Sequence, residues 1–70
     1  MTGLLRIGID VGGTNTDAAL LRGSVVLSTI KTATTADVTT GVANAIRSVL
    51  ASGAVPSGSV SAVMIGTTHF

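Results

Sequence analysis

Asp10-Val11-Gly12-Gly13-Thr14-Asn15-Thr16-Asp17 brings together a carboxylate, two adjacent glycines and a run of hydroxyl and amide side chains. Glycines without Cβ let a phosphate reach the backbone, and the N–H groups of such a turn can converge on an anion. Thr14, Asn15 and Thr16 add side-chain donors beside them. A carboxylate repels a phosphate unless a cation stands between the two, so Asp10 fits as the catalytic carboxylate next to a hydrated Mg²⁺, reached through water. The expected chemistry is that of a nucleotide-phosphate loop. The plainer reading of Asp10 is a strand-end carboxylate that caps the following turn; the Gly-Gly-Thr beside it favours the functional one. Asp17 is left open between a ligand role and stiffening the loop.

Two common phosphate loops do not fit the letters. A P-loop needs G-x-x-x-x-G-K-[ST], and although Gly8 and Gly13 have that separation, Thr14 stands where the lysine should be. The dinucleotide fingerprint G-x-G-x-x-G is absent around Gly12 and Gly13. Both also require a helix after the loop, whereas residues 16–22 are too few for one before Gly23. Ala18-Ala19-Leu20-Leu21 suits a strand buried on both faces.

The elements that must position this loop follow from the pattern around it. Residues 4–11 read as a strand with Leu5, Ile7, Ile9 and Val11 on one face and Arg6, Gly8 and Asp10 on the other. Gly8 inside a strand implies a close approach at that point, by a ligand or by a packed helix. Arg22-Gly23 or Gly23-Ser24 supplies a hairpin turn, and residues 25–32 return as a third strand with Lys31 as a solvated edge charge. Thr34 or Asp37 caps the only helix, with Thr34 and Asp37 in capping-box spacing. Val38, Val42, Ala45, Ile46, Val49 and Leu50 form one apolar stripe, while Thr39, Asn44, Arg47 and Ser48 face outward. Gly41 within the helix implies close packing on a neighbour. Gly53 and Pro56 end the helix, residues 56–59 form a polar loop, and residues 60–66 read as a fourth strand.

Strand three, helix and strand four make a right-handed crossover that places strand four parallel to strand one. The predicted fold is α/β: an antiparallel three-strand meander, one crossover helix and a fourth strand parallel to the first, the first half of a ribonuclease-H-like nucleotide-binding domain. Thr67 and Thr68, just past strand four, then come to the same sheet edge as Asp10 and Gly12, where ligands of open α/β sheets gather. His69 reads either as a general acid or base or as a structural residue.

Composition narrows the function classes. Four basic and three acidic residues leave a net charge of +1, which gives no electrostatic case for nucleic acid, and a single aromatic, Phe70, offers no base-stacking surface. The lack of cysteine excludes disulfides and thiolate metal sites and fits a cytoplasmic protein. No apolar run approaches the roughly 20 residues that span a bilayer, and the N-terminus lacks a signal pattern, so neither membrane nor secretion is expected. Hydrophobic residues make up 46% and charged ones 10%, too little charge to solvate every face of a domain in which about 25% is ordinary. The expectation is a partial N-terminal nucleotide-binding subdomain, residues 1–70, cut after its fourth strand from a longer chain. Its partner is then the remainder of its own chain. Alone it should be inactive and self-associate, because one helix covers only one face of the sheet.

Residues 7–17, Ile-Gly-Ile-Asp-Val-Gly-Gly-Thr-Asn-Thr-Asp, together with Ile-Gly-Thr-Thr-His-Phe at 65–70, resemble the N-terminal region of the hydantoinase/5-oxoprolinase family. That family sits within the actin-like ATPase and sugar kinase superfamily. The resemblance covers essentially all 70 residues, and Asp17 with the Gly-Thr-Thr-His-Phe tail narrows it from sugar kinases in general. It implies ATP and Mg²⁺ as cofactors and ATP-dependent hydrolysis of a cyclic amide, with Asp10 near the metal and Gly12, Gly13, Thr14 and Thr16 at the phosphates. Asn15, Thr67 and Thr68 complete the candidate binding set. Such a ring lacks the strain that would drive its opening, which is a reason to couple it to ATP. A small-molecule kinase of the same superfamily and a non-catalytic actin-like nucleotide-binding protein are the alternatives.

Overall fold

A computed structural model describes residues 4–67. Its elements are β1 (Leu5–Val11), β2 (Asn15–Arg22), β3 (Val25–Ala33), α1 (Val38–Gly53) and β4 (Ala62–Thr67). The four strands form one sheet in the order β3-β2-β1-β4, with β1 antiparallel to β2 and parallel to β4. The expected meander, crossover helix and parallel fourth strand are all present.

Alternation along the strands decides what α1 covers. Leu5, Ile7, Ile9 and Val11 of β1 share one face with Thr16, Ala18 and Leu20 of β2, and all seven are buried. From α1 come Ala45, Val49 and Leu50, which complete the core. Ile7, Leu20 and Val49 are fully enclosed, and burial of each contributes about 1.5–3 kcal/mol. β2 is not buried on both faces as its letters suggested: Ala19 and Leu21 are half-buried, and Asp17 and Arg22 are exposed. Among the described residues the only α-helix lies on one side, and no layer stands above the alternate residues of β2.

The turns follow their chemistry. Gly23 takes a left-handed φ of 60° as the first of the two residues, Gly23 and Ser24, between β2 and β3, where a type II′ turn requires glycine. Arg6 Nη2 donates to Gly23 O at 2.8 Å and Gly23 N–H donates to Leu4 O at 3.0 Å, tying the hairpin end back to β1. A bulge in the β2–β3 pairing follows Leu20, where Leu20 faces Ser28 and Leu21 faces Val26.

Of the two N-cap candidates the structure selects Asp37: Asp37 Oδ1 accepts from Thr39 N–H at 3.2 Å and Oδ2 from Thr40 Oγ1 at 2.6 Å. The other end of α1 corrects the sequence expectation. Its C-cap is Ala54, in the left-handed region at φ 55°. Gly53 therefore is not the stop signal. It lies where a Cβ would come within 2.5 Å of Leu20 Cδ2, so any side chain there would force the Leu20 methyl to shift. Gly41 has a similar reason, since a Cβ there would stand 2.6 Å from Thr35 Oγ1. The buried stripe runs through Gly41, Ala45, Val49 and Leu50. Val42 and Ile46 border it, and Val38, expected in the stripe, is 50% exposed.

β4 begins at Ala62, two residues later than expected, because Ser57–Ser59 close a 3₁₀ turn with Ser59 N–H on Pro56 O at 3.0 Å. Val63 and Ile65 of β4, paired with the buried Ile7 and Ile9, remain 44% and 56% exposed. Helix α1 lies over β2 and β3 and does not reach across to cover them.

Candidate functional site

The glycine loop joins β1 to β2. Gly12 N–H donates to Asn15 O at 2.9 Å, which leaves Gly13 and Thr14 at the tip; both are exposed, as is Asn15. At Gly13 an added Cβ would meet nothing within 4 Å, and its φ is not in the left-handed region. Among the described residues neither packing nor backbone strain calls for glycine there. The space it leaves faces outward, as a site for a close-approaching ligand requires.

Gly8 shows the same feature one step back. It stands on the face opposite the helix, and a Cβ there would also meet nothing. Among the described residues no helix packs against Gly8. On this open face the sheet carries a shallow groove of about 710 Å³, lined among others by Gly8, Asp10, Asp17, Ala19, Met64 and Gly66. Small residues form its floor because Gly8 pairs with Ala19, and Gly66 pairs with Asp10.

Asp10, exposed at the end of β1, pairs directly across the antiparallel ladder with Asp17. Two carboxylates opposite one another repel. Lys31, itself opposite Asp17, lies 3.9 Å from Asp17 Oδ1, with both side chains more than half exposed. Such a pair is worth little in water. Among the described residues no group of three or more His, Cys, Asp or Glu side chains gathers. A cation at Asp10 would accordingly complete its shell with water and ligand oxygens, as Mg²⁺ commonly does.

The side chain of Thr16 lies on the other side of the loop. It is 2% exposed, beneath the helix, and its hydroxyl is 3.1 Å from that of Thr34. Gly12, Gly13, Thr14 and Asn15 do come together with Asp10 at one sheet edge. β4 brings Thr67 there too, in register with Val11. Thr68 and His69, the other candidates of the tail, lie outside the described residues. The residue that sequence reasoning missed is Thr34, whose hydroxyl and N–H both bond the loop, to Gly12 O at 2.8 Å and Thr14 O at 2.9 Å. Its spacing from Asp37 matched a capping box and pointed to the helix instead.

A family model described as the hydantoinase/oxoprolinase N-terminal region matches residues 6–70. The chain belongs to this family. The match begins in β1 and takes in the loop, the crossover helix and β4. No curated protein matches the sequence. Among solved structures, component A of (R)-2-hydroxyglutaryl-CoA dehydratase from Acidaminococcus fermentans superposes with a TM-score of 0.80 at 22% identity, over 94% of this chain and 26% of that one. That likeness bears on the fold alone, the meander, crossover helix and parallel fourth strand expected for the first half of a ribonuclease-H-like domain. The hydantoinase-family chain spans about a quarter of the length of that structural relative. No helix among the described residues is long and apolar enough to cross a membrane.

Proposed function

We propose that these residues form the N-terminal part of an ATP-dependent cyclic-amide hydrolase of the hydantoinase/5-oxoprolinase type and supply its first phosphate and Mg²⁺ loop. One observation carries the reading. Asp10 ends a strand beside an exposed turn whose Gly13 has no structural need to be glycine, so the turn is open to a ligand that comes close to the backbone. Family membership over residues 6–70 supports the substrate class.

The residues fit the group they are asked to hold. Gly13, Thr14 and Asn15 would bind phosphate oxygens through N–H and side-chain donors, Gly12 would shape the turn with its own N–H held by Asn15 O, and Asp10 would orient hydrated Mg²⁺. Thr67 approaches from the adjacent strand end, and Thr68 is proposed as a further donor. Bound there, Mg-ATP would supply the activation that an unstrained lactam carbonyl needs before water can open it. This chain's own contribution is positioning and charge neutralisation, both fixed before the reaction begins. The remaining walls of the site, including any base-binding pocket, belong to the remainder of the longer chain.

The test is an ATPase assay of the full-length protein with and without hydantoin or 5-oxoproline. Turnover that depends on the cyclic amide, with ring-opened product in proportion to ADP, supports the reading. ATP consumption that ignores both compounds and responds to a hydroxylated acceptor would favour the small-molecule kinase instead. The seventy residues alone should be inactive and self-associate through the exposed Val25, Val26, Val63, Met64 and Ile65; a monodisperse monomer in sedimentation would count against this.

A further inference from the structure

We propose that Thr34 is the positioning residue of the glycine loop. The inference rests on the loop being a phosphate site, as argued above.

Thr34 lies outside the hairpin that it holds, in the connection between β3 and α1. Its Oγ1 donates to Gly12 O at 2.8 Å, and its N–H donates to Thr14 O at 2.9 Å. A hydroxyl has one proton, and the Gly12 carbonyl can only accept it. The 3.1 Å contact between Thr34 and Thr16 hydroxyls must therefore have Thr16 donating. The result is a directed chain from the buried Thr16 hydroxyl to Thr34 to the loop carbonyl.

Peptide planarity converts this into loop geometry. No described peptide bond is cis, and in a trans peptide the C=O of one residue and the N–H of the next point in opposite directions. With Gly12 O drawn to Thr34, the Gly13 N–H points away from Thr34. With Thr14 O drawn to the same residue, the Asn15 N–H does likewise. One side chain and its own amide thus fix the orientation of two donors. Thr34 is itself held from the helix side. The neighbouring Thr35 hydroxyl donates to Asp37 O, and Gly41 makes room for Thr35 by lacking a Cβ. The position of the loop is thereby referred to the first turn of α1 rather than left to a flexible glycine pair.

The experiment compares Thr34→Val, which removes the hydroxyl and keeps shape and backbone N–H, with Thr34→Ser, which keeps the hydroxyl, in the full-length protein. Mg-ATP affinity is measured by titration calorimetry, and the Gly13 and Asn15 amides are followed by NMR in the nucleotide-free state. Thr34→Val should weaken Mg-ATP binding about tenfold, the worth of one well-placed hydrogen bond, and shift both amide signals. Thr34→Ser should restore both. Should Thr34→Val fail to fold, Thr34→Ala is read in its place. Wild-type affinity and unmoved amides in the hydroxyl-free variant overturn the proposal while leaving the phosphate reading intact, as does a serine variant as weak as valine. A wild-type protein that binds no Mg-ATP overturns both.

Discussion

On the helix side of the sheet, Ile7 and Leu20 are fully enclosed; on the other side, the next residues of the same two strands are Gly8 and Ala19, paired with each other. The covered face is filled with side chains that match α1 down to the missing Cβ of Gly53, whereas the open face is emptied to a groove with Asp10 and Asp17 at one end. Residues that hold the fold are large where they meet the helix, and on the other face the described residues leave small and charged side chains open, the ones the proposed function assigns to a ligand. A change on one face should therefore alter stability, and a change on the other should alter binding.

The strongest separation is expected at Asp10. Asp10→Ala in the full-length protein should lower ATP-dependent turnover by about 10³-fold, the scale on which loss of a single electrostatic group in a preorganised site acts. Its melting temperature should stay close to wild type, because the side chain is exposed. Wild-type turnover would remove Asp10 from the mechanism and the open face from the site.

The helix side is probed next. Leu20→Ala should destabilise by about 2–5 kcal/mol, since Leu20 is fully buried and its cavity is walled by packed neighbours. Met64→Ala on the open face, where Met64 is 54% exposed, should cost less than about 0.5 kcal/mol. Urea unfolding of the two variants reads the contrast, and equal losses would mean that the open face is also a packed one.

How far the sequence reveals this division depends on the range of the interactions. The strands, the helix, their order and the face of Leu5, Ile7, Ile9 and Val11 are legible because alternation and helical spacing are local patterns. The carboxylate and glycine turn are legible for the same reason. What escaped was set by contacts between distant segments. Gly53 looks like a helix stop because its real partner, Leu20, lies in β2. Thr34 looks like a cap because its bonds run back to Gly12 and Thr14, about twenty residues earlier. Val38 fits the apolar stripe by spacing, and only the placement of α1 over β2 and β3 leaves it exposed.

Two glycine substitutions sharpen the comparison at smaller amplitude. Gly53→Ala places a Cβ 2.5 Å from the Leu20 side chain; overpacking of this kind costs about 1–3 kcal/mol, and nucleotide affinity should not change beyond that of a destabilised protein. Gly13→Ala places a Cβ in open space on an ordinary backbone. Its stability should match wild type within about 0.5 kcal/mol, while Mg-ATP affinity falls about tenfold, a loss of roughly 1.4 kcal/mol. Calorimetric titration and thermal melts on both variants give the four values. An alanine at position 13 that binds as well as glycine would show that no ligand comes close to the loop backbone there.

The smallest effect concerns the cap that anchors α1 next to Thr34. Hydrogen bonds from the Thr40 hydroxyl, and then from the Thr39 and Thr40 amides, hold the Asp37 carboxyl below its ordinary pKa against a weaker opposing effect of desolvation. A carboxylate whose folded pKa is depressed adds stability that is fully present above the unfolded value of about 3.9 and is lost as pH falls through the lower folded value. The melting temperature should therefore fall as pH is lowered from about 5 to 3, and Asp37→Asn should flatten part of that slope. The group is exposed, so salt and solvent screen the effect and the change should be modest. Because the cap steadies the segment carrying Thr34, the same titration followed at the Gly13 amide should show the loop signal moving with the Asp37 ionisation. A loop amide indifferent to that ionisation would mean that the helix cap and the glycine loop are held independently.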